Sequence, residues 1–422
     1  MLDIKFIREN KELVNLAATK KRIKFDVEEL IAIDDKRLQI LKTVEEKRAQ
    51  QNAASEEIQK ASPEIRALLI EGMKKVKDDL RVEEEQLATI MRDWQKLMLR
   101  VPNIPDMSVP DGESDADNQE VKKWGEIKDL GFTPKDHIEL MEMNDMVDFE
   151  RGTKTAGFRG YFLKNDGALL EMAVWQYAMQ KWAAKNYTPM IVPSLVTKEC
   201  LLGTGYLPGG EEDLYHDEEN NWFSGTGEVA TMYYHSGEVL DVKEFPKKFI
   251  VFSTCFRKEA GSHGKDVKGL VRVHEFYKLE QVVLCEASHQ ASVDLHEELL
   301  RNSEELMEEL NIPYHTVVNC GADLGQGQVK KYDIEAWMPS QDKYRETHSC
   351  SYFHDFQTRR LNIRYKDSEG KTKFAHSLNN TAAATPRLIT AIIENYQNAD
   401  GTINVPEVLI PFMGKSIMGK IN

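Results

Sequence analysis

The stretch FRKEAGSHGKDVKGLVRVHEFYKLE, Phe256–Glu280, decides the fold of this chain. It follows the apolar run FIVFSTC, which predicts a buried strand. Its middle, AGSHGKDVKG, is rich in glycine and lysine and is typical of a loop. The continuation LVRVHEFYKLEQVVL is rich in Val, Phe, Tyr and Leu and predicts a second strand. The sequence therefore predicts an antiparallel hairpin with a long loop.

Charged and aromatic side chains lie near the two predicted strands. They are Arg257, Glu259, Arg272, Phe276 and Glu280. Arginine binds phosphate or carboxylate as a planar fork, and a carboxylate can hold an ammonium group or an adenine amino group. This set suits a nucleotide together with a zwitterion. The alternative is an ordinary hairpin with solvated cross-strand ion pairs, and the hairpin alone does not decide between them.

The pattern FRxE, a variable loop and RxHxF resembles motif 2 of the class II aminoacyl-tRNA synthetases. The residues within this motif, EAGS-G-D--GL-R-H-F-K-E, resemble those of the seryl-tRNA synthetases in particular. Further segments similar to that family are VPNIPDMSVP, LLGTGYLPGGEEDLYH, YRETHSCSYFHDFQTRR and ENYQNADGTINVPEVLIPFMG. The resemblance covers nearly the whole chain. It implies a serine–tRNA ligase that forms seryl-adenylate from serine and ATP and then charges tRNA(Ser), with tRNA(Sec) as a further candidate substrate.

Composition sets the broad class of the protein. The 422 residues predict two or three domains, and 41% hydrophobic with 30% charged residues is typical of a globular protein. Neither a run of 18 apolar residues nor an apolar N-terminal segment occurs, so we expect no membrane partner, no signal peptide and a cytoplasmic location. Five scattered cysteines predict free thiols and no zinc site.

Net charge bears on the nucleic-acid partner. The net charge of −15 argues against a general nucleic-acid binder and against DNA as a partner. It leaves room for a tRNA that meets local basic patches, because binding depends on local neutralisation of phosphates.

A long helical hairpin is predicted near the N-terminus. From Asp26 to Arg100 only Pro63 and Gly72 interrupt a sequence of strong helix formers. Ser62 and Pro63 suit a helix start, so the sequence predicts two antiparallel helices, each roughly 55 Å long. Heptad positions are Met73, Val76, Leu80, Leu87, Ile90, Trp94 and Leu97, with a break at Glu83, and a weaker set of Leu38, Leu41, Val44 and Ile58.

This arm has two interpretations. The commoner use of such a helical hairpin is as a dimerisation coiled coil or a spacer. The resemblance instead implies an arm that reaches the long variable arm of tRNA(Ser), along a surface that carries Lys47, Arg48, Lys60, Lys74, Lys75 and Lys77. We expect a tRNA-binding domain over residues 1–100, a Pro- and Asp-rich linker over 101–126 and a catalytic domain over 127–422.

The expected fold is α+β: an antiparallel class II synthetase-like sheet with flanking helices, plus the N-terminal two-helix coiled-coil arm. A turn at Asn165–Gly167, a helix from Ala168 to Lys185 and a strand that ends at Pro193 resemble motif 1, which implies a homodimer. One amphipathic helix is predicted within 286–313, and YDIEAWMP predicts a half-buried strand. Small residues at 381–385 predict a turn before a helix from Pro386, which resembles motif 3.

The resemblance also implies the roles of individual residues. The residues that it assigns to serine are Thr226, Gly227, Glu228, Arg257, Glu280, Asn379 and Thr381. Those that it assigns to ATP are Arg257, Lys258, Glu259, Arg272, Val273, Phe276, Glu346, Thr347, His348, Ser349 and Arg387. Arg257 and Arg387 are the expected catalytic residues. Glu346 and Ser349 are the expected ligands of Mg²⁺, which prefers hard oxygen donors.

The chain departs from the family pattern at three positions: Gly227 stands for Ala, Tyr352 for Asn and Asn380 for Gly. Two other functions remain open. A synthetase-derived paralogue could load a carrier protein, although the long arm argues against it. A catalytically inactive scaffold could dimerise and bind RNA, although the joint presence of Arg257, Glu259, Glu280, Glu346 and Arg387 argues against that.

Overall fold

The computed structural model describes residues 1–260, 266 and 268–419. The predicted hairpin loop therefore lies partly outside the described residues, at 261–265 and 267. The chain forms two compact units, one of residues 2–19 and 23–102, the other of residue 1, residues 20–22 and residues 103–422. Among the described helices, none has the length and apolar character needed to cross a membrane.

The N-terminal unit consists of four helices, which include the predicted arm. They are α1 (Ile4–Glu9), α2 (Lys11–Lys20), α3 (Val27–Lys60) and α4 (Pro63–Met98). The Asp26 carboxylate caps α3 by accepting from the backbone N–H groups of Glu28 and Glu29. Pro63 occupies the first turn of α4, where no backbone donor is needed. The predicted two-helix coiled-coil arm is confirmed.

The seam between α3 and α4 shows why the heptad pattern is broken. Val44 and Leu80 are buried in it. At the break, the Glu83 carboxylate pairs with the Lys47 ammonium at 3.0 Å, so an ion pair replaces an apolar layer. Leu38 is 46% exposed, and its assignment to the seam was wrong.

The second unit contains nine further described α-helices: α5 (His137–Met143), α6 (Phe149–Ala156), α7 (Asn165–Ala184), α8 (Lys198–Thr204), α9 (Gly227–Tyr234), α10 (His289–Glu309), α11 (Phe356–Arg360), α12 (Thr385–Asn395) and α13 (Ile410–Met413). Its described strands are β1 (Gln119–Trp124), β2 (Val147–Asp148), β3 (Phe162–Leu163), β4 (Thr188–Ile191), β5 (Leu195–Val196), β6 (Trp222–Phe223), β7 (Val239–Asp241), β8 (Lys247–Phe256), β9 (Glu275–Cys285), β10 (Tyr314–Val318), β11 (Lys330–Met338), β12 (Lys343–His354), β13 (Arg364–Lys366), β14 (Thr372–Phe374), β15 (His376–Ala384), β16 (Ile403–Asn404) and β17 (Ile417–Met418).

An eight-stranded sheet organises this unit, in the order β1-β10-β11-β12-β15-β9-β8-β4. All neighbours are antiparallel except β4, which runs parallel to β8, so the sheet is mixed. The predicted hairpin is β8–β9. Its second strand was predicted to begin at Leu270 but begins at Glu275, and residues 270–274 belong to the loop. Strand β1 lies within the stretch expected to be a linker and forms a sheet edge.

Helices cover the back of this sheet, which we define as the face towards α7 and α10. Trp175 of α7 packs edge-on against Phe252 and Tyr277 of the hairpin, each at 4.9 Å between ring centroids. The helix α10 packs against β12 and β15. Two local expectations were wrong: Asn165–Gly167 is the first turn of α7, and residues 381–384 continue β15 up to a helix that begins at Thr385.

Candidate functional site

A pocket of about 180 Å³ opens on the front of the sheet, the face away from α10. Because side chains alternate along a strand, every second residue of the central strands points into it. From β9 these are Phe276, Lys278 and Glu280. Thr347, Ser349 and Ser351 of β12, and Asn379 and Thr381 of β15, also line it.

Two β-bulges alter this alternation at the pocket. In β12 the pairing shifts by one residue between His348 and Glu346, so Glu346 and Ser349 both line the pocket although they are three residues apart. In β15 a second shift, between Thr381 and Ala383, lets Thr381 and Ala384 line the pocket together. Without the bulges, strict alternation would turn one member of each pair to the back.

One end of the pocket is acidic. Thr226 caps α9, and its hydroxyl accepts from the Glu228 backbone N–H at 3.3 Å. Glu228 is buried, and its carboxylate accepts from the Tyr206 hydroxyl at 2.9 Å and from the Gln357 amide at 2.5 Å. Desolvation by burial raises the pKa of Glu228, while these hydrogen bonds oppose the rise. The cap and the two donors fix this carboxylate at the pocket wall.

A second buried carboxylate, Glu280, lies at the same end. The Lys278 ammonium pairs with it at 2.5 Å, and both side chains are buried. Desolvation raises the pKa of Glu280, whereas the charges of Lys278 and Arg257 lower it, and the net direction is upward. The acidic end therefore carries one carboxylate that is already paired and one that is held by neutral donors.

Away from Glu228 the pocket is lined by arginines. The Arg257 guanidinium lies over the Phe276 ring at 5.3 Å and donates to the Gly225 carbonyl at 3.3 Å. Arg387, in the first turn of α12, donates to the Val271 carbonyl at 3.0 Å and to the Glu346 carbonyl at 2.9 Å. These bonds orient two guanidinium groups that both line the pocket and whose charges both act on Glu346.

A carboxylate from the hairpin loop bridges two more arginines. Asp266 pairs with Arg345 at 2.7 Å and lies 3.8 Å from the Arg272 guanidinium. Arg272 also forms an ion pair with Glu259. These arginines are thus cross-linked to the loop through acidic side chains.

The oxygen donors near Arg387 fit a magnesium ion. Glu346 and Ser349 share the pocket face through the bulge in β12. Desolvation acts to raise the pKa of Glu346, but the charges of Arg387, Lys331 and Arg257 lower it overall, so the group is a carboxylate at neutral pH. Within residues 1–260, 266 and 268–419, no cluster of three His, Cys, Asp or Glu side chains could hold a metal ion. Two oxygen ligands completed by substrate phosphates are typical of Mg²⁺.

The structure brings all but three of the expected site residues into one pocket. The exceptions are Gly227, Lys258 and His348. Lys258 extends over the Tyr215 ring at 5.6 Å, and His348 is buried, where desolvation lowers its pKa to about 4 and keeps it neutral. The expectation that these three contact ligands has no support from their positions.

Several lining residues were not anticipated from the sequence: Tyr206, Val271, Lys278, Gln328, Ser351, Ala384 and Pro386. Two of them carried a usable signal. Lys278 precedes Glu280 by two residues and Ser351 follows Ser349 by two, so alternation alone predicts that they share a face. Tyr206 and Gln328 lie outside the helices and strands, where periodicity gives no information.

The departures from the family pattern lie away from the pocket. Tyr352 is buried and donates to the Asp106 carboxylate at 3.1 Å. The Asn380 amide donates to the Ser303 hydroxyl at 2.9 Å, on α10. A Cβ atom at Gly227 would lie 2.9 Å from the Ser253 hydroxyl, so alanine there would require Ser253 to shift.

Comparison with known proteins agrees with this arrangement. Residues 1–105 match the seryl-tRNA synthetase N-terminal domain, and residues 214–396 match the class II tRNA synthetase core domain (G, H, P, S and T). The serine–tRNA ligase of Deinococcus radiodurans is 44% identical over 100% of this chain and 99% of its own length. That of Thermodesulfovibrio yellowstonii is 41% identical over 99% of this chain and 100% of its own length.

Solved structures show the same relationship. Seryl-tRNA synthetase from Pyrococcus horikoshii, complexed with ATP, aligns with a TM-score of 0.90 at 36% identity over 100% of both chains. The cytoplasmic serine–tRNA ligase of Naegleria fowleri, in complex with AMP, aligns at 0.86 and 31% identity over 100% of this chain and 99% of its own. With relatives at this identity over its full length, the chain belongs to the seryl-tRNA synthetase family.

Proposed function

We propose that the pocket activates L-serine with ATP to seryl-adenylate and pyrophosphate, and that the seryl group then passes to the 3′-terminal adenosine of tRNA(Ser). The observation that carries this proposal is the polarity of the pocket. Two buried carboxylates, Glu228 and Glu280, lie at one end and Arg387 lies at the other, with Arg257 between them, where its charge acts on both Glu280 and Glu346. An amino acid placed between them has its ammonium group at the acids and its carboxylate at the arginines.

The acidic end suits serine. Glu228, Thr226 and Glu280 neutralise and orient the ammonium group, while Thr381 and Glu280 bond to the hydroxyl group. Asn379 lies beside Thr381 on the same strand face. Alanine is rejected because it would leave buried polar groups without a partner. Threonine differs by one methyl group, worth only about 1–3 kcal/mol, so we expect measurable threonine activation.

The first reaction step is in-line attack of the serine carboxylate on the α-phosphate of ATP. It needs no covalent enzyme intermediate, so the chain contributes positioning and charge stabilisation. Arg257 lies between the acidic end and Phe276, where it can bind both the serine carboxylate and the α-phosphate. Negative charge gathers between these two groups in the transition state.

The residues that would bind ATP lie around the arginines of the pocket. Phe276 stacks on adenine, Glu259 accepts from its amino group and the Val273 backbone completes the adenine site. Arg272 and Arg387 bind the β- and γ-phosphates. The relative from Pyrococcus horikoshii was solved with ATP, which supports ATP as a ligand of this chain.

Magnesium enters as a partner of ATP. Glu346 and Ser349 would hold it, with Thr347 beside them on the bulged strand. When bound, the ion neutralises the phosphate charge that the arginines do not reach. The donor set contains no cysteine and no histidine, so it favours Mg²⁺ over zinc.

The N-terminal arm is the proposed tRNA-binding element, within the domain division 1–100, 101–126 and 127–422. The six basic residues of its expected tRNA-binding surface fall into two groups. Lys47, Arg48 and Lys74 form ion pairs within the arm. Lys60, Lys75 and Lys77 are exposed, which makes them the better candidates for phosphate contacts.

We further propose a homodimer in the cytoplasm. Apolar side chains of the motif 1 segment are exposed: Met172 on α7 by 51% and Ile191 on β4 by 83%. Exposed apolar side chains of this kind favour association with a second copy. The five cysteines are buried free thiols, as in a reducing compartment.

Amino-acid-dependent ATP–pyrophosphate exchange tests the proposal. The full chain is assayed with Mg²⁺, without tRNA, against all standard amino acids. We expect exchange to be strongest with serine and near background with alanine. Absence of exchange from folded protein contradicts the ligase assignment. Strong exchange with another amino acid keeps the chemistry and overturns the specificity.

A second assay isolates the arm. Residues 50–82 are replaced by a short glycine-rich turn, which retains the Lys47–Glu83 and Arg48–Glu84 pairs. We expect unchanged exchange and loss of serylation of tRNA(Ser) and tRNA(Sec) transcripts. Full serylation by this variant overturns the role of the arm.

A further inference from the structure

Both oxygens of the Glu228 carboxylate accept hydrogen bonds from neutral donors. Oε1 accepts from the Gln357 amide Nε2 at 2.5 Å, and Oε2 accepts from the Tyr206 hydroxyl at 2.9 Å. Glu228 is only 2% exposed, so water does not replace these donors easily. Its orientation depends on the groups that surround it.

The Gln357 amide is itself held in one orientation. Its Oε1 accepts from the Ser377 hydroxyl at 2.7 Å, and its Nε2 also donates to the Thr204 carbonyl at 3.2 Å. A flipped amide would turn its oxygen towards two acceptors, the Thr204 carbonyl and the Glu228 carboxylate. These two acceptors therefore favour the orientation in which the N–H group faces Glu228, and the Ser377 hydroxyl donates to the amide oxygen that remains.

Gln357 and Ser377 lie behind the pocket wall. Each is 1% exposed, and neither lines the pocket. Gln357 belongs to α11 and Ser377 to β15, whereas Glu228 belongs to α9. A chain of side-chain hydrogen bonds thus connects the central sheet to a carboxylate on a separate helix.

We propose that Gln357 and Ser377 are positioning residues that aim the Glu228 carboxylate at the ammonium group of the amino acid and keep it ionised. The proposal rests on the proposed function and deepens it. A carboxylate beside an ammonium group contributes most when it is charged and preoriented. Gln357 and Ser377 lie behind the pocket wall, so they can orient the carboxylate and stabilise its charge without occupying the pocket.

Electrostatics around Glu228 make this support necessary. Desolvation and the nearby charge of Glu280 both raise the pKa of Glu228. The opposing groups are the Gln357 amide, the Tyr206 hydroxyl and the Lys278 ammonium, of which the Gln357 hydrogen bond is the strongest. Loss of that donor raises the pKa of Glu228 further.

The test uses Gln357→Met, which keeps the side-chain length but removes the donor. The matched control is Gln397→Met, since Gln397 is also buried and donates only to the backbone carbonyls of Lys135 and Glu394. Serine-dependent exchange is measured in the full chain from pH 5 to pH 9. For Gln357→Met we expect the KM for serine to rise about tenfold, with the KM for ATP within about twofold of wild type.

The pH profile separates positioning from general loosening. The acidic limb of kcat/KM for serine is expected to move up by about one pH unit in Gln357→Met and less in Ser377→Ala, which removes one hydroxyl group only. Gln397→Met leaves the limb in place. If Gln357→Met does not fold, Ser377→Ala carries the test alone.

Two outcomes overturn the inference while wild-type exchange with serine upholds the proposed function. One is an unchanged acidic limb and unchanged KM for serine in both variants. The other is an equal rise in the KM values for serine and ATP that follows a lowered melting temperature, as a purely structural role requires. No exchange by the wild type overturns the proposed function itself.

Discussion

Replacing Lys278 with methionine isolates the buried ion pair at the acidic end of the pocket. The Lys278 ammonium and the Glu280 carboxylate are 2.5 Å apart, with side-chain exposures of 7% and 4%. At an effective dielectric constant of about 20, charges at this distance attract by about 7 kcal/mol. The desolvation of both groups offsets much of this attraction. Removing one partner leaves a buried charge, which typically costs about 3–5 kcal/mol.

The same change should abolish serine activation. Burial already raises the pKa of Glu280, and Lys278 is the main group that lowers it. In Lys278→Met this opposing charge is lost, so the pKa of Glu280 rises further. The carboxylate also loses the ammonium group that orients it, so we expect kcat/KM for serine to fall by about a hundredfold or more, while ATP binding persists.

A double-mutant cycle with Glu280→Gln measures the coupling. Urea unfolding of the full chain is followed by tryptophan fluorescence, which reports mostly on the catalytic unit because only Trp94 lies in the arm. The double variant carries no charge at either position, so we expect it to regain about 2–3 kcal/mol relative to Lys278→Met while remaining inactive.

An exposed pair serves as the control for this cycle. Lys371 and Glu369 are 2.7 Å apart in the catalytic unit and both largely exposed. We expect Lys371→Met to change the free energy of unfolding by less than about 0.5 kcal/mol. The reasoning fails if Lys278→Met costs less than about 1 kcal/mol, or if the double variant is no more stable than the single one.

Three further changes have defined outcomes. Burial raises the pKa of Glu171 to about 7, so the folded chain binds this proton more tightly than the unfolded chain, and stability falls as pH rises from about 4.5 to about 7. Glu171→Gln keeps an acceptor for the Thr385 hydroxyl and should be more stable than wild type by about 3 kcal/mol at pH 8, with little difference at pH 4.5, in urea unfolding. Phe276→Ala should raise the KM for ATP by about tenfold or more in the exchange assay and leave the KM for serine near wild type, because base stacking is worth about 1–3 kcal/mol. Joint replacement of Lys75 and Lys77 with alanine should weaken tRNA binding in filter assays and reduce the salt slope by about two, with unchanged exchange.

A specific result would contradict each of these three predictions. For Glu171→Gln, that result is a stability difference from wild type that does not vary with pH. For Phe276→Ala it is an equal effect on both substrates, which would indicate collapse of the hairpin. For the lysine pair, the control is Lys42→Ala with Lys96→Ala, which removes the same net charge from exposed arm positions outside the expected tRNA-binding surface. An equal loss of tRNA affinity in that control would assign the effect to net charge alone.

The elements with strong periodic signals were predictable. The arm follows from a long stretch with two breakers, and the β8–β9 hairpin follows from two apolar runs around a Gly- and Lys-rich loop. Most expected site residues meet in the pocket because they came from segments similar to one family. The ends of elements were less certain: α7 extends through Asn165–Gly167, whose turn-forming residues fit equally well in the first turn of a helix.

The bulges could not be predicted from the sequence. Glu346 and Ser349 point the same way only because Thr347 is an extra residue in the pairing of β12 with β11. Such a shift depends on hydrogen bonds between strands that are distant in the chain. Tyr206 reaches the site from a loop and Gln357 from a short helix. Their positions depend on tertiary packing, and the sequence shows no periodic pattern that would predict them.

The strands that carry the pocket residues also present side chains to α10 on the back of the sheet. Tyr352 packs against the His296 ring of that helix, and Asn380 donates to Ser303. Each of these strands is therefore constrained on both faces. The reactants constrain the residues on the front face, and α10 constrains the residues on the back face. Substitutions can accumulate on the helix side in compensating pairs with α10 while amino-acid choice stays fixed. Paired changes at these contacts are therefore a way to alter the packing of α10 while the side chains that line the pocket stay the same.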